Sequence, residues 1–179
     1  MNSSKNSPFR GLGSKIFLIG FMGSGKTHWG KLWAESSALE FHDLDEVIEQ
    51  MEQRTVEAIF DKSGEAYFRK KESEVLRNFS GKDNCIIACG GGTPCFYDNM
   101  QWMKENGTTI YLKTSPLQIL ERVEAEKDKR PLIKNINTAE LLFFIEQKLK
   151  EREPFYKQAQ NILSLEELNT DSIKGIINS

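Results

Sequence analysis

The segment Gly20-Phe21-Met22-Gly23-Ser24-Gly25-Lys26-Thr27 constrains this chain more than any other. An apolar run, Lys15 to Ile19, precedes it, and a stretch with Trp29, Leu32 and Trp33 at helical spacing follows. Glycine, four residues, then Gly-Lys-Thr between a strand and a helix is the pattern of a phosphate-binding loop. The glycines let the backbone curl so that successive N–H groups, those of Gly23, Ser24 and Gly25 among them, face phosphate oxygens. The helix that starts near Lys26 adds its positive end. The Lys26 ammonium neutralises charge between the β- and γ-phosphates, and the Thr27 hydroxyl suits Mg²⁺. The loop therefore predicts nucleotide binding and leaves the phosphoryl acceptor open.

The rest of the chain agrees with a fold that carries such a loop. Short apolar runs at Lys15–Ile19, Glu40–His42, Cys85–Ala88, Thr108–Leu112 and Asn161–Leu163 read as strands. Between them lie helical patterns at Lys26–Ser36, Asp43–Met51, Val56–Phe60, Glu65–Phe79 and Phe96–Glu105. Further helices are expected from Pro116, from Thr138 to about Tyr156 with an interruption near Pro154, and from Asp171 to Ile177. Strands without clean alternation, separated by helices, predict an α/β fold with a parallel sheet covered on both faces. The 179 residues suit one domain, 15–179, preceded by a polar arm, 1–14. The charged stretch Glu124–Asn137, with Arg130-Pro131, reads as a mobile lid.

Composition excludes several classes. Twenty-four basic against 26 acidic residues give a net charge of -2, which disfavours nucleic-acid binding driven by bulk positive charge. The longest apolar stretches, Ile16–Met22 and Leu141–Ile145, are too short to span a bilayer, so no membrane partner is expected. Cys85, Cys89 and Cys95 form no CxxC pair, and the two histidines, His28 and His42, cannot supply a three-His metal site. A reduced cytoplasmic protein fits these counts.

Four other clusters carry chemistry. Asp43 and Asp45, after the second strand, are expected on one side of an extended segment, one carboxylate for Mg²⁺ through water and the other for an acceptor hydroxyl. Asp43 is equally a good helix N-cap, with Glu46 three residues on. Gly90, Gly91 and Gly92 end a buried strand, where positive φ and close approach to a ligand are expected. Arg69 and Arg152 lie in charged helices and, on composition alone, read as solvated faces with local partners. Arg130 in the lid segment suits a transferring phosphoryl group. The Trp29/Trp33 and Phe143/Phe144 pairs read as core packing, and Cys89 as a small buried residue.

Taken in order, GFMGSGKT, FHDLDEVIE, VEAIFDKSGEAYFRKKE, IIACGGG, KRPLI and EREPFY resemble the shikimate kinase family over nearly the whole length, Lys15 to Ile177. The resemblance implies a five-stranded parallel sheet in the order 2-3-1-4-5, as in nucleoside monophosphate kinases. The implied substrates are ATP and shikimate, with Mg²⁺, in the route to chorismate and aromatic amino acids. It assigns Lys26 and Thr27 to the γ-phosphate and Mg²⁺, Asp43 to the Mg²⁺ water shell, and Asp45 to the shikimate hydroxyls as a candidate base. Arg69 and Arg152 would clamp the shikimate carboxylate beside Gly90–Gly92, within a substrate segment of about 43–79. Arg130 would serve the phosphates, and Arg122 falls near the family's arginine against adenine. Leu44 and Cys89 depart from the small or hydroxylated residues usual at their positions. A monomer is expected. Two other readings suit the same fold, a gluconate kinase-like enzyme and a silent nucleotide-binding regulator; intact Lys26, Asp43, Asp45 and Arg130 speak against the second.

Overall fold

The computed structural model describes residues 15–125 and 137–177. The arm 1–14 and most of the expected lid segment, Arg130 included, lie outside the described residues.

Five strands, β1 (Lys15–Ile19), β2 (Glu40–Asp43), β3 (Cys85–Ala88), β4 (Thr108–Lys113) and β5 (Asn161–Ser164), form one sheet in the order β2-β3-β1-β4-β5. Every pairing is parallel, with β1 between β3 and β4. The pleat divides β1 cleanly. Phe17 and Ile19 join a core on one face, and Ile16 and Leu18 a core on the other. Ile87 and Ile86, then Tyr111 and Ile110, continue these two sets across β3 and β4. This two-sided burial explains why the sequence shows unbroken apolar runs.

Helix α1 (Lys26–Ser37) covers one face through Trp33 and Ala34, with α7 (Lys174–Ile177) beside it. The other face is covered by α2 (Leu44–Glu52), α3 (Val56–Arg77), α4 (Asn99–Asn106), α5 (Pro116–Ala125) and α6 (Thr138–Tyr156), through residues such as Ile48, Phe68, Met103, Ile119 and Ile145. Among the described residues no helix is long and apolar enough to cross a membrane.

The departures from expectation have local causes. Gly64, with non-helical φ 80 and ψ 167, divides α3 into the two expected helices, the first extended past Phe60 so that they meet at the kink. Tyr97 and Asp98 adopt left-handed backbone (φ 50 and 54), which delays α4 to Asn99. A 3₁₀ turn, Thr93–Cys95, lies just before these residues. Pro154 does not interrupt α6, which runs to Tyr156; so close to the helix end it removes one backbone bond and no more.

Candidate active site

The carboxyl ends of β1, β3 and β2 lie side by side, the place where α/β sheets bind ligands. The loop after β1 curls through Gly20 (φ 146), Gly23 (φ 74) and Gly25 (φ 91) before α1 begins at Lys26. Lys26 Nζ folds back onto the loop, donating to Gly20 O at 2.9 Å and Phe21 O at 2.8 Å. Burial pulls the Lys26 ammonium down to about 8, against the opposing pull of Asp45, Cys89 and Asp43. Thr27 Oγ1 donates to Asp43 Oδ2 at 2.9 Å.

Asp43 does two things at once. It ends β2 and caps α2, its Oδ1 accepting from Asp45 N at 3.1 Å, while Oδ2 takes the Thr27 hydroxyl. The N-cap and the ligand readings of this residue are therefore compatible, because its two carboxylate oxygens serve different partners. A hydroxyl and a carboxylate oxygen make a hard donor set that fits Mg²⁺. Among the described residues no group of three or more His, Cys, Asp or Glu gathers as a metal cage.

Asp45 is not on an extended segment with Asp43, as the spacing suggested. It sits in the first turn of α2. Its Oδ1 is buried without a hydrogen-bond partner among the described residues. Desolvation, then Glu72 and Asp43, raise its carboxyl to about 7, against Lys26 and Arg69. An unpartnered, buried oxygen with a proton affinity near neutrality is a group prepared to take a hydroxyl proton.

The three glycines after β3 act differently from expectation. Gly90, Gly91 and Gly92 are not among the positive-φ residues. Their missing side chains are what matter. A Cβ on Gly90 would stand 2.8 Å from Glu72 Oε1 and 3.2 Å from Asp45 Oδ1. One on Gly91 would stand 3.2 Å from Arg152 Nη1 and 3.5 Å from Met22 N in the phosphate loop. One on Gly92 would stand 2.6 Å from Arg69 Cζ. The turn is a bare surface against which two guanidiniums and two carboxylates lie.

Arg69 is 8% exposed. It pairs with Glu65 at 3.1 Å and Glu72 at 2.9 Å, so the expected local acid partners exist. Yet it is buried, not a solvated face, and its charge lies within 6 Å of the rings of Phe60, Phe68 and Phe96. Its Nη2 donates to no described residue. Arg152, half-buried on α6, lies over the Phe21 ring and makes no salt bridge to a described acid. The two cations thus meet at adjacent glycines with fewer acids than they can bind, which favours an anionic ligand there.

Sequence reasoning missed the frame behind this turn. Glu72 is wholly buried, and burial raises its carboxyl despite Arg69. Thr93 Oγ1 donates to Glu72 Oε1 at 2.6 Å, Asn99 Nδ2 to Thr93 O at 2.9 Å, and Ser73 Oγ to Asn99 Oδ1 at 3.0 Å. Tyr156, fully buried, donates its hydroxyl to Gly91 O. Only Glu72, three residues after Arg69 on one helix face, left a readable signal. Cys89 points its Sγ at Met103 Sδ, 3.7 Å away in the core, and burial holds its thiol protonated. Arg122 reaches the phosphate loop from α5, donating to Gly23 O at 2.9 Å.

The comparisons with known proteins follow the same lines. The family model for shikimate kinase matches residues 22–178. Shikimate kinase from Bacteroides thetaiotaomicron is 42% identical over 154 residues, 86% of this chain and 88% of its own. That from Phocaeicola vulgatus is 40% identical over 155 residues, 87% and 89% of the two chains. Among solved structures, shikimate kinase from Bacteroides thetaiotaomicron superposes with a TM-score of 0.83 over 92% of this chain and 94% of that one, at 40% identity. The Acinetobacter baumannii enzyme, solved in complex with shikimate, gives 0.77 over 93% and 90% at 32% identity. A gluconokinase from Sinorhizobium meliloti, 14% identical with a TM-score of 0.56, shares the fold alone. The chain belongs to the shikimate kinase family.

Proposed function

We propose that this protein transfers the γ-phosphoryl group of ATP to the 3-hydroxyl of shikimate, giving ADP and shikimate 3-phosphate, in the supply of chorismate and aromatic amino acids. One observation carries the reading. The phosphate loop and the arginine-lined glycine turn abut, with Met22 N and Arg152 Nη1 both within 3.5 Å of the same point on Gly91. A phosphoryl donor held by the loop and a carboxylate held by Arg69 and Arg152 would then bind side by side, with Asp45 between them.

In this reading, loop N–H groups and Lys26 hold the β- and γ-phosphates. Lys26 must leave Gly20 O and Phe21 O to do so. Asp45 accepts the hydroxyl proton at its unpartnered Oδ1 as oxygen attacks phosphorus in line. Arg69 and Arg152 fix the ring by its carboxylate, which turns a bimolecular encounter into an oriented one. Thr27 and Asp43 would hold Mg²⁺, which when bound neutralises charge on the phosphates. Arg130, which lies outside the described residues, is assigned to the phosphoryl oxygens by its place in the KRPLI motif. A reduced, cytoplasmic setting agrees with three free cysteines among the described residues.

The test is a coupled ADP-release assay with shikimate, quinate and gluconate as acceptors. Turnover with shikimate well above the other two is expected. Preference for gluconate would favour the gluconate kinase-like alternative, and ATP binding without turnover on any acceptor the silent regulator.

A further inference from the structure

The three phenylalanine rings near the Arg69 guanidinium are there for different reasons. Phe60 and Phe68, whose centroids lie 5.8 and 5.1 Å from its Cζ, stack on each other at 4.6 Å and belong to the core that α3 covers. Phe96 lies nearest, at 4.8 Å, yet it is 36% exposed and packs in neither core. The sequence places Phe96 at the start of a helix. In the structure it is extended backbone (φ -128, ψ 152) between the 3₁₀ turn and α4. Hydrophobic burial therefore does not explain where this ring sits.

The chain is bent to put it there. Tyr97 and Asp98, two consecutive residues with side chains, hold left-handed backbone at φ 50 and 54. A fork secures the bend. Arg77 donates through Nη2 to Tyr97 O at 2.8 Å and through Nη1 to Asn99 Oδ1 at 2.7 Å, while Asn99 N donates to Phe96 O at 2.9 Å. Strain of this kind gathers at functional sites. The guanidinium itself shows the use. A Cβ on Gly92 would stand 2.6, 2.6 and 2.7 Å from its Cζ, Nη2 and Nη1. Near-equal distances to three atoms of a planar group put Gly92 over its flat face, not at its edge. At the edge, Nε and Nη1 are bonded to the exposed Glu65 and to Glu72, and Nη2 to no described residue. Bonds at the edge leave a guanidinium free to tilt about them. Contacts off its plane, from Gly92 and from the Phe96 ring, fix the tilt and leave the in-plane N–H groups open.

We propose that Phe96 is a positioning residue for the acceptor carboxylate: its ring sets the tilt of the Arg69 guanidinium and keeps Nη2 presented at the glycine turn before the ligand arrives. The proposal rests on the reading of Arg69 and Arg152 as a carboxylate clamp and deepens it by naming what pre-organises the clamp. A cation already held against the face of an aromatic ring needs no reordering when an anion binds at its edge, so affinity is gained without a new contact to the ligand.

Steady-state kinetics of Phe96→Leu, which keeps apolar bulk and removes the flat ring, is the first test. The KM for shikimate is expected to rise about three- to tenfold, the worth of one half-buried cation–ring contact, with kcat and the KM for ATP within about twofold of wild type. Phe96→Tyr, whose ring remains, is expected to stay within about twofold of wild type in all three. A leucine variant with the wild-type KM for shikimate overturns the proposal. So does a tyrosine variant as impaired as the leucine one, or an equal rise in both KM values, which would mean that the whole turn has shifted. Should the leucine variant fail to fold, replacing Phe96 with 4-cyanophenylalanine and with 4-methylphenylalanine gives the answer, because the two rings share a shape and differ in electron density. The KM for shikimate is expected to be about two- to fivefold higher with the cyano ring, and equal values overturn the proposal. Arg69→Ala tests the clamp apart. If that variant binds shikimate as wild type does, the clamp reading falls and this inference with it. Weak binding by Arg69→Ala beside wild-type binding by Phe96→Leu sinks this inference alone.

Discussion

The phosphate loop and the glycine turn after β3 are both glycine-rich segments at the carboxyl edge of one sheet, and they use glycine for different reasons. In the loop, Gly23 and Gly25 supply left-handed backbone at φ 74 and 91, so that the chain itself becomes the binding surface. In the turn, Gly90–Gly92 supply absence: each lacks the side chain that would collide with Glu72, Arg152 or Arg69. The first region is local and made of backbone. The second is assembled from α3, α6 and the 3₁₀ turn, and made of side chains. A backbone device tolerates change outside its motif, whereas a side-chain device fails wherever one of its distant members is altered.

Lys26→Met puts the loop to the largest test. It removes the loop's one cationic side chain while sparing the backbone donors, so kcat is expected to fall about 10³-fold with thermal unfolding unchanged. Wild-type turnover would mean that the backbone alone suffices. Gly92→Ala tests the turn. A Cβ 2.6 Å from a guanidinium locked to Glu72 must displace it, and overpacking of this kind costs about 1–3 kcal/mol. The loss should appear in the KM for shikimate, with the KM for ATP within about twofold of wild type; a rise in both would join the two regions into one device.

The pH profile spans the boundary between them. Asp45, raised to about 7, must be ionised to accept a proton, and Lys26, lowered to about 8, must be protonated to hold phosphate. In the free enzyme kcat/KM should therefore rise with pH through about 7 and fall above about 8, and a flat profile from pH 6 to 9 would contradict both roles. Stability carries the smallest effect. Because the folded state raises Asp45 above the ordinary aspartate value of 3.8, it binds the extra proton between there and about 7, and stability falls as pH rises through that window. Asp45→Asn removes that fall, so above pH 7 this inactive variant is expected to melt higher than wild type by calorimetry.

Legibility followed the same division. The strands, the loop and α1 were readable because each is written in consecutive residues, whereas the strand order was reached only through the resemblance. Asp43 was readable as a helix cap. Arg69 was misjudged from composition, since the sequence shows its acidic helix neighbours and not the Phe60, Phe68 and Phe96 rings that bury it. Thr93, Asn99 and Tyr156 left no signal, because each acts through one hydrogen bond to a segment remote in sequence.

The central claim is that an acceptor carboxylate is held by Arg69 and Arg152 at the glycine turn while the nucleotide is held independently at the loop. Calorimetric titration of Arg152→Ala with shikimate, and separately with a non-hydrolysable ATP analogue, tests it most directly. Loss of a partly desolvated charge partner should cost about 2–5 kcal/mol of shikimate binding and leave the analogue's affinity unchanged. Shikimate bound as tightly by Arg152→Ala as by wild type, or shikimate and nucleotide weakened to the same extent, would contradict it.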